Sequence, residues 1–192
     1  MTSAGSVRFA LRSATEEVHE RLHVARPFRD IAEGRLPLSG YGRLLASLHS
    51  FHAQLEAACD GAWAGAPRSA GRVARLESDL GHLGEAAPPV PDGWSPPARD
   101  GAALGCLYVA QGSTLGGRVV HRQLDYLLDG APGRRFFAGS DADAATWRDL
   151  CGHLEREGRG AGRLDGMIAG ASAAFALFEQ CLERQEEECL HG

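Results

Sequence analysis

Lysine is absent from the sequence, so all 20 positive side chains are arginine against 25 acidic ones, a codon-usage bias that carries no functional implication by itself. The formal net charge of -5 excludes a phosphate-backbone partner, because nonspecific nucleic-acid binding is largely an electrostatic term that needs a basic surface. No stretch approaches the ~18 apolar residues of a membrane span, and the opening MTSAGSVRFALRSATEE has no long apolar run, which predicts a cytoplasmic protein without a membrane partner. CxxC pairs are missing. The five cysteines, at 59, 106, 151, 181 and 189, are scattered and odd in number, which suits reduced thiols in helix interiors and not a metal–cysteine site. Sustained strand alternation, internal repeats and any nicotinamide or flavin fingerprint are also lacking.

What remains is helical patterning in a chain of 192 residues, enough for one domain with a core that needs no disulfide or structural metal. Val7, Leu11, Ala14, Val18 and Leu22 recur at spacings of three and four and predict a first amphipathic helix. The stretch 26–40 reads as a turn, and Tyr41, Leu44, Leu45, Leu48, Phe51, Leu55 and Ala58 predict a longer second helix with Ser39 as its cap. A weaker helix spans about 69–83. Five prolines in AAPPVPDGWSPP, 86–97, impose a surface connection. The segment 102–128 is helical at both ends but carries GSTLGG at 112–117, and three glycines in six positions predict a kink there. A loop at 129–140, a helix near 142–155 and a last helix bearing Leu164, Ile168, Ala171, Phe175, Phe178 and Leu182 complete an all-α class of about six to eight helices.

Among the eight histidines, His19 sits at the edge of the first helix's apolar face, where it can point into a pocket. A histidine at such a boundary is ordinarily just half-buried and hydrogen-bonded, so alone it decides nothing. The glycines at 112–117 are more informative, because glycine inside a helix is costly and is best explained where backbone approaches another surface closely. A flat ligand is one such surface, and a helix–helix crossing is another. A phosphate loop is disfavoured, since GSTLGG lacks the GK[ST] ending and follows no strand.

LRSATEEVH at 11–19, GRLPLSGYGRLLASLHSFHAQLE at 34–56 and GCLYVAQGSTLGGRVV at 105–120 resemble the heme oxygenase family, in its bacterial, phytochrome-associated form. FFAG at 136–139, Trp147 with Arg148, and ASAAFALFEQ in the last helix extend the resemblance over nearly the whole chain, in order. It implies one heme oxygenase-like domain over 1–192, with free ends at 1–5 and 189–192, in which heme lies between a proximal helix and a kinked distal helix. Heme is then both cofactor and substrate, cleaved with O2 to biliverdin, carbon monoxide and ferrous iron. Residue by residue, His19 matches the axial iron ligand, while Gly112, Gly116 and Gly117 match the distal glycines. Arg12 and Arg148 match basic residues beside the propionates, apt for a carboxylate fork. Ser113 stands where animal-type members carry a distal aspartate, and with Gly112 and Gly116 it is the expected catalytic set around bound oxygen. His23 stands where an acidic residue is common in relatives.

Electrons must come from outside, from ferredoxin or a flavoprotein reductase, and Arg118, Arg122, Arg134 and Arg135 offer a basic rim for an acidic donor. A phytochrome is an expected acceptor of biliverdin. Two alternatives stand beside this reading. One is a heme-binding relative that does not turn heme over, favoured by Ser113. The other is a di-metal helical oxidase built from Glu16/His19, Glu20/His23 and His49/His52 with Glu56, which is disfavoured because both Glu-x-x-His pairs lie on one helix. His49 and His52 are instead expected to pack near the first helix.

Overall fold

A computed structural model describes residues 6–130 and 132–191; the side chains at 114, 115 and 186–191 lie outside that description. The elements are α1 (Val7–His23), α2 (Arg26–Ala32), α3 (Leu38–Cys59), α4 (Arg72–His82), α5 (Ala102–Gln123), α6 (Arg135–Ala138), α7 (Asp143–Glu157) and α8 (Arg163–His191), with single 3-10 turns at Gly61–Trp63 and Leu124–Tyr126. No strand occurs among the described residues. Of the ends expected to be free, 1–5 and Gly192 fall outside the described residues, while 189–191 continue α8.

Two short helices stand where turn and loop were expected. α2 places Pro27 in its first turn, where a missing amide donor costs nothing, and ends at Gly34, whose φ of 67° lets its own N–H reach back to Ile31 O at 3.0 Å. Arg35 then closes on the buried Asp30 at 2.7 Å. Seven residues are too few to display a helical period, which is why the sequence pattern missed it. α6 is a single turn held by a side chain of α4: the Asp79 carboxylate accepts the N–H groups of Arg135 at 2.9 Å and Phe136 at 2.8 Å. That clamp drives Phe136 and Phe137 into the core.

α3 is buried on most of its circumference. Leu44, Leu45, Leu48, Phe51 and Leu55 are core residues, and so are Ser47, His49, Ser50, His52 and Gln54. Ser47 and Gln54 resolve the conflict locally by donating to the carbonyls of Arg43 and Ser50, each at 3.0 Å. The expected cap, Ser39, lies inside the first turn; Pro37 precedes the helix and Ser39 makes no capping bond. His49 and His52 also depart from expectation. They face α4 and α6, with His49 Nε2 3.6 Å from Glu77 and the His52 ring against Phe136, and not α1.

α5 and α8 form the tightest crossing. A Cβ on Gly105 would run into the Met167 carbonyl and lie 2.8 Å from the Ala171 nitrogen, and one on Gly170 would lie 2.6 Å from the Ala102 carbonyl carbon. Gly101, at φ 88°, begins α5 against Arg163 O of the same partner. Backbone therefore meets backbone here, at glycines other than the 112–117 cluster. Helical hydrogen bonding in α5 continues unbroken through that cluster.

α1 is fastened at its start by α7. Glu155 accepts the N–H groups of Val7 at 3.0 Å and Arg8 at 3.1 Å, and also the Ser6 hydroxyl. Partial burial pushes the Glu155 carboxyl up, but these hydrogen bonds and the Arg159 charge outweigh it and hold it below the ordinary glutamate range. A depressed folded-state value means that the stabilisation is complete above the unfolded value and is lost as pH falls through the folded one. Glu155→Ala is expected to cost roughly 1 kcal/mol, as loss of a helix cap does, and to make the first turn of α1 exchange its amide hydrogens faster at neutral pH. Wild type should lose the same protection, relative to intrinsic exchange, only in acid.

Candidate functional site

α1 leans on α8 and α7, and α5 leans on the same two helices, yet α1 and α5 are not themselves a packed pair among the described residues. Two helices that share their supports without packing on each other can flank a flat ligand. One face of α5 runs through Gly101, Gly105, Tyr108, Gly112 and Gly116. Its first half is sealed by the backbone of α8. Its second half is not: a Cβ on Gly112 would meet only the Trp147 ring, at 3.5 Å, and one on Gly116 would meet nothing within 4 Å. The backbone of α5 thus emerges bare where α8 no longer covers it.

On the α1 side, Arg12 and His19 are two turns apart on one face and both are exposed. The neighbouring stripe, Leu11, Thr15 and Leu22, is buried, and Thr15 satisfies its hydroxyl on Leu11 O at 2.8 Å. The His19 ring is edge-on to Phe175 of α8, with centroids 6.3 Å apart, and to His23 at 4.6 Å. Partial burial first, then His23 and Arg12, hold the His19 imidazole below its ordinary range, with Glu20 opposing. A neutral imidazole with a free lone pair is what an iron ligand requires. On α5, burial raises the Tyr108 phenol, and the charges of Arg8 and Arg12 act against that shift. Arg12 is therefore felt by His19 on its own helix and by Tyr108 on α5. Tyr108 in turn contacts Trp147, with centroids 5.5 Å apart.

The rotation of α5 is fixed from behind by Gln111, which is fully buried. It accepts the Ser69 N–H at 3.0 Å, donates to the Ser69 hydroxyl at 2.7 Å and accepts from Arg72. Ser69 passes the contact to Asp143 at 2.6 Å, which also receives the Ser140 N–H at 2.7 Å. Sequence reasoning missed Gln111; an amide flanked by apolar residues in YVAQG was the available signal.

Ser113 is exposed on α5 and donates to Ala110 O at 2.9 Å, a back-bond of the kind that bends helices. Gly117 is buried beside α6, its virtual Cβ 3.2 Å from Phe137 O, so packing explains it without a ligand. Arg148 is exposed on α7 beside Trp147, and neither it nor Arg12 makes an ion pair with the described residues. The basic rim loses one member. Arg134 is buried and holds its own loop, donating to Gly130 O at 2.5 Å and His121 O at 2.7 Å and pairing with Asp125. Arg118, Arg122 and Arg135 remain exposed. Cys59, Cys106 and Cys181 are buried free thiols and Cys151 is half-buried, whereas the side chain of Cys189 lies outside the described residues. The di-metal donor set is not assembled: its Glu-x-x-His pairs lie on α1 and its remaining histidines are buried between α3, α4 and α6.

No protein-family model matches the chain. It is 42% identical over 113 residues to a heme oxygenase of Xanthomonas campestris pv. campestris (strain 8004), a stretch covering 58% of this chain and 67% of that protein. Among solved structures, the heme oxygenase of Neisseria meningitidis, determined in NO- and CO-bound forms, superposes with a TM-score of 0.75 over 95% of this chain and 92% of that one, at 23% identity. The heme oxygenase of Leptospira interrogans gives a TM-score of 0.69 over 93% and 99%, at 16% identity. These two structures share the fold.

Proposed function

Since the chain belongs to the heme oxygenase family, we propose that it takes heme between α1 and α5 and cleaves it with O2 to biliverdin, carbon monoxide and ferrous iron. The observation that supports this reading is an accessible imidazole, His19, on α1 together with the bare backbone of α5 at Gly116, on two helices that share α7 and α8 as supports. The residues fit the ligand: a neutral nitrogen donor, apolar rings at Phe175, Tyr108 and Trp147, and the cations Arg12 and Arg148 for two propionates. When bound, heme supplies both the iron that activates oxygen and the porphyrin edge that is oxidised.

His19 would hold the iron through an imidazole nitrogen, and a neutral imidazole donates less electron density to iron than a thiolate does. Gly112 and Gly116 would let the α5 backbone lie close to the porphyrin and restrict the space left for oxygen. The Ser113 hydroxyl, whose proton is engaged by Ala110 O, would accept a hydrogen bond from water and so hold a proton donor near that site. Gly117 would contribute by seating α5 on α6, away from the ligand. Arg12 and Arg148 would set the rotation of the porphyrin and hence which bridge is cut. Arg148→Ala is expected to change the ratio of biliverdin isomers while weakening hemin uptake about fivefold or less, because an exposed ion pair contributes about 1 kcal/mol at most. Chromatography of the products checks it.

On the same reading residues 1–192 act as one domain in the cytoplasm, with electrons from ferredoxin or a flavoprotein reductase docking near Arg118, Arg122 and Arg135, and with a phytochrome as biliverdin acceptor. Supplying reductant and oxygen to the one-to-one hemin complex tests the proposal. Biliverdin and carbon monoxide should appear as the heme band is lost. A complex that survives unchanged would favour the heme-binding relative that does not turn over.

A further inference from the structure

The exposed side of α1 carries a second pattern. His19, Glu20, Arg21, Leu22 and His23 spell H-E-x-x-H on one helix, a spacing that places two imidazoles on successive turns of the same face. Here the two intervening residues are turned elsewhere: Leu22 is buried, and Arg21 is bonded to Glu17 and Glu179. His19, Glu20 and His23 are left exposed together, with the two imidazole centroids 4.6 Å apart. Neither ring makes a hydrogen bond with the described residues, so both can rotate toward a common ion. Imidazole nitrogen suits zinc, nickel and copper, with zinc–nitrogen bonds of about 2.0–2.1 Å.

We propose that in the heme-free protein His19 and His23 chelate a divalent transition-metal ion such as zinc, and that this ion competes with heme for His19. The second half rests on the heme reading above; the first half does not. Among the described residues no group of three or more His, Cys, Asp or Glu side chains converges, so water must complete the coordination. The site is therefore an open chelate, without the three protein ligands of a hydrolytic zinc centre. Zinc held on the His19 nitrogen that heme iron needs excludes heme, and heme held there excludes zinc. Free zinc would then slow loading of the apoprotein.

The test uses the full chain, freed of heme and treated with a chelator, titrated with zinc chloride by calorimetry and with cobalt(II) chloride by its visible absorption. One ion per chain is expected. His19→Ala and His23→Ala should each weaken zinc binding by more than the roughly 10–100-fold that loss of even an outer-shell partner costs, while His153→Ala on α7 should bind as wild type does. Circular dichroism confirms that these exposed replacements leave the helices in place. Hemin titrations with and without zinc then read the competition, which should disappear in His23→Ala. Absent zinc binding, or binding indifferent to His19 and His23, overturns the site. Zinc bound at the pair with hemin uptake unaltered overturns the competition. Zinc bound at the pair by a protein that never takes hemin supports the site and removes the heme reading instead.

Discussion

Gly105→Ala is expected to lower the stability of the apoprotein by more than about 3 kcal/mol, beyond the usual range for an overpacked core, although alanine is the better helix former by about 1 kcal/mol. The reason is local and rigid. The added methyl would occupy the space of the Met167 carbonyl, 2.7 Å from its carbon and 2.8 Å from the Ala171 nitrogen, and these are backbone atoms in the middle of α8. A flexible side chain could turn aside; a hydrogen-bonded helix cannot. The two helices must separate, and with them the buried residues Leu104, Leu107, Met167 and Ala174 on either side of the crossing. Against a total stability of about 5–15 kcal/mol, such a loss removes a large fraction. In a domain of this size it should lower the melting temperature by at least about 6 °C, measured by circular dichroism.

Gly116→Leu is expected to do the reverse to the apoprotein and to abolish its ligand binding. Gly116 is exposed and its virtual Cβ meets nothing within 4 Å, so the new side chain enters open space. Replacing a mid-helix glycine by leucine should stabilise the empty protein by roughly 0.5–1 kcal/mol through helix propensity alone. If that open space is the heme slot, the same leucine occupies the ligand's place, and hemin affinity should fall more than about tenfold, or 1.4 kcal/mol. A higher melting temperature together with a lost heme spectrum separates a filled slot from a damaged fold. A variant that binds hemin as wild type does would place the heme elsewhere.

The contrast between these two glycines shows how far the sequence could be read. Both sit in one helix and neither differs from the other as a letter. The cluster at 112–117 stood out because three glycines fall close together, whereas Gly101, Gly105, Gly166 and Gly170 are spaced by four and pair across helices far apart in the chain, which no local window reveals. Long amphipathic helices were legible: α1, α3, α4 and α7 begin and end within a few residues of their expected bounds, α5 begins at Ala102 as expected but ends at Gln123, and α8 carries all its expected apolar positions. α2 and α6 were not: α2 is too short to display a helical period, and α6 depends on a tertiary partner, the Asp79 clamp. His49 and His52 were expected beside α1 and lie instead against α4 and α6, because α3 is central and packs on several helices at once. His19 and the glycine cluster stood out in the sequence; Arg134 as part of a rim did not survive, since charge alone does not tell a solvated arginine from one that ties a loop.

The most direct test of the account is electron paramagnetic resonance of the ferrous heme complex with nitric oxide bound. A proximal nitrogen on the iron adds its own splitting to that of the nitric oxide nitrogen. The account predicts that extra splitting in wild type, its loss in His19→Ala, and its return when imidazole is added to the variant. The same spectrum from His19→Ala without imidazole would show that another residue holds the iron, and the assignment of the heme site between α1 and α5 would fall with it.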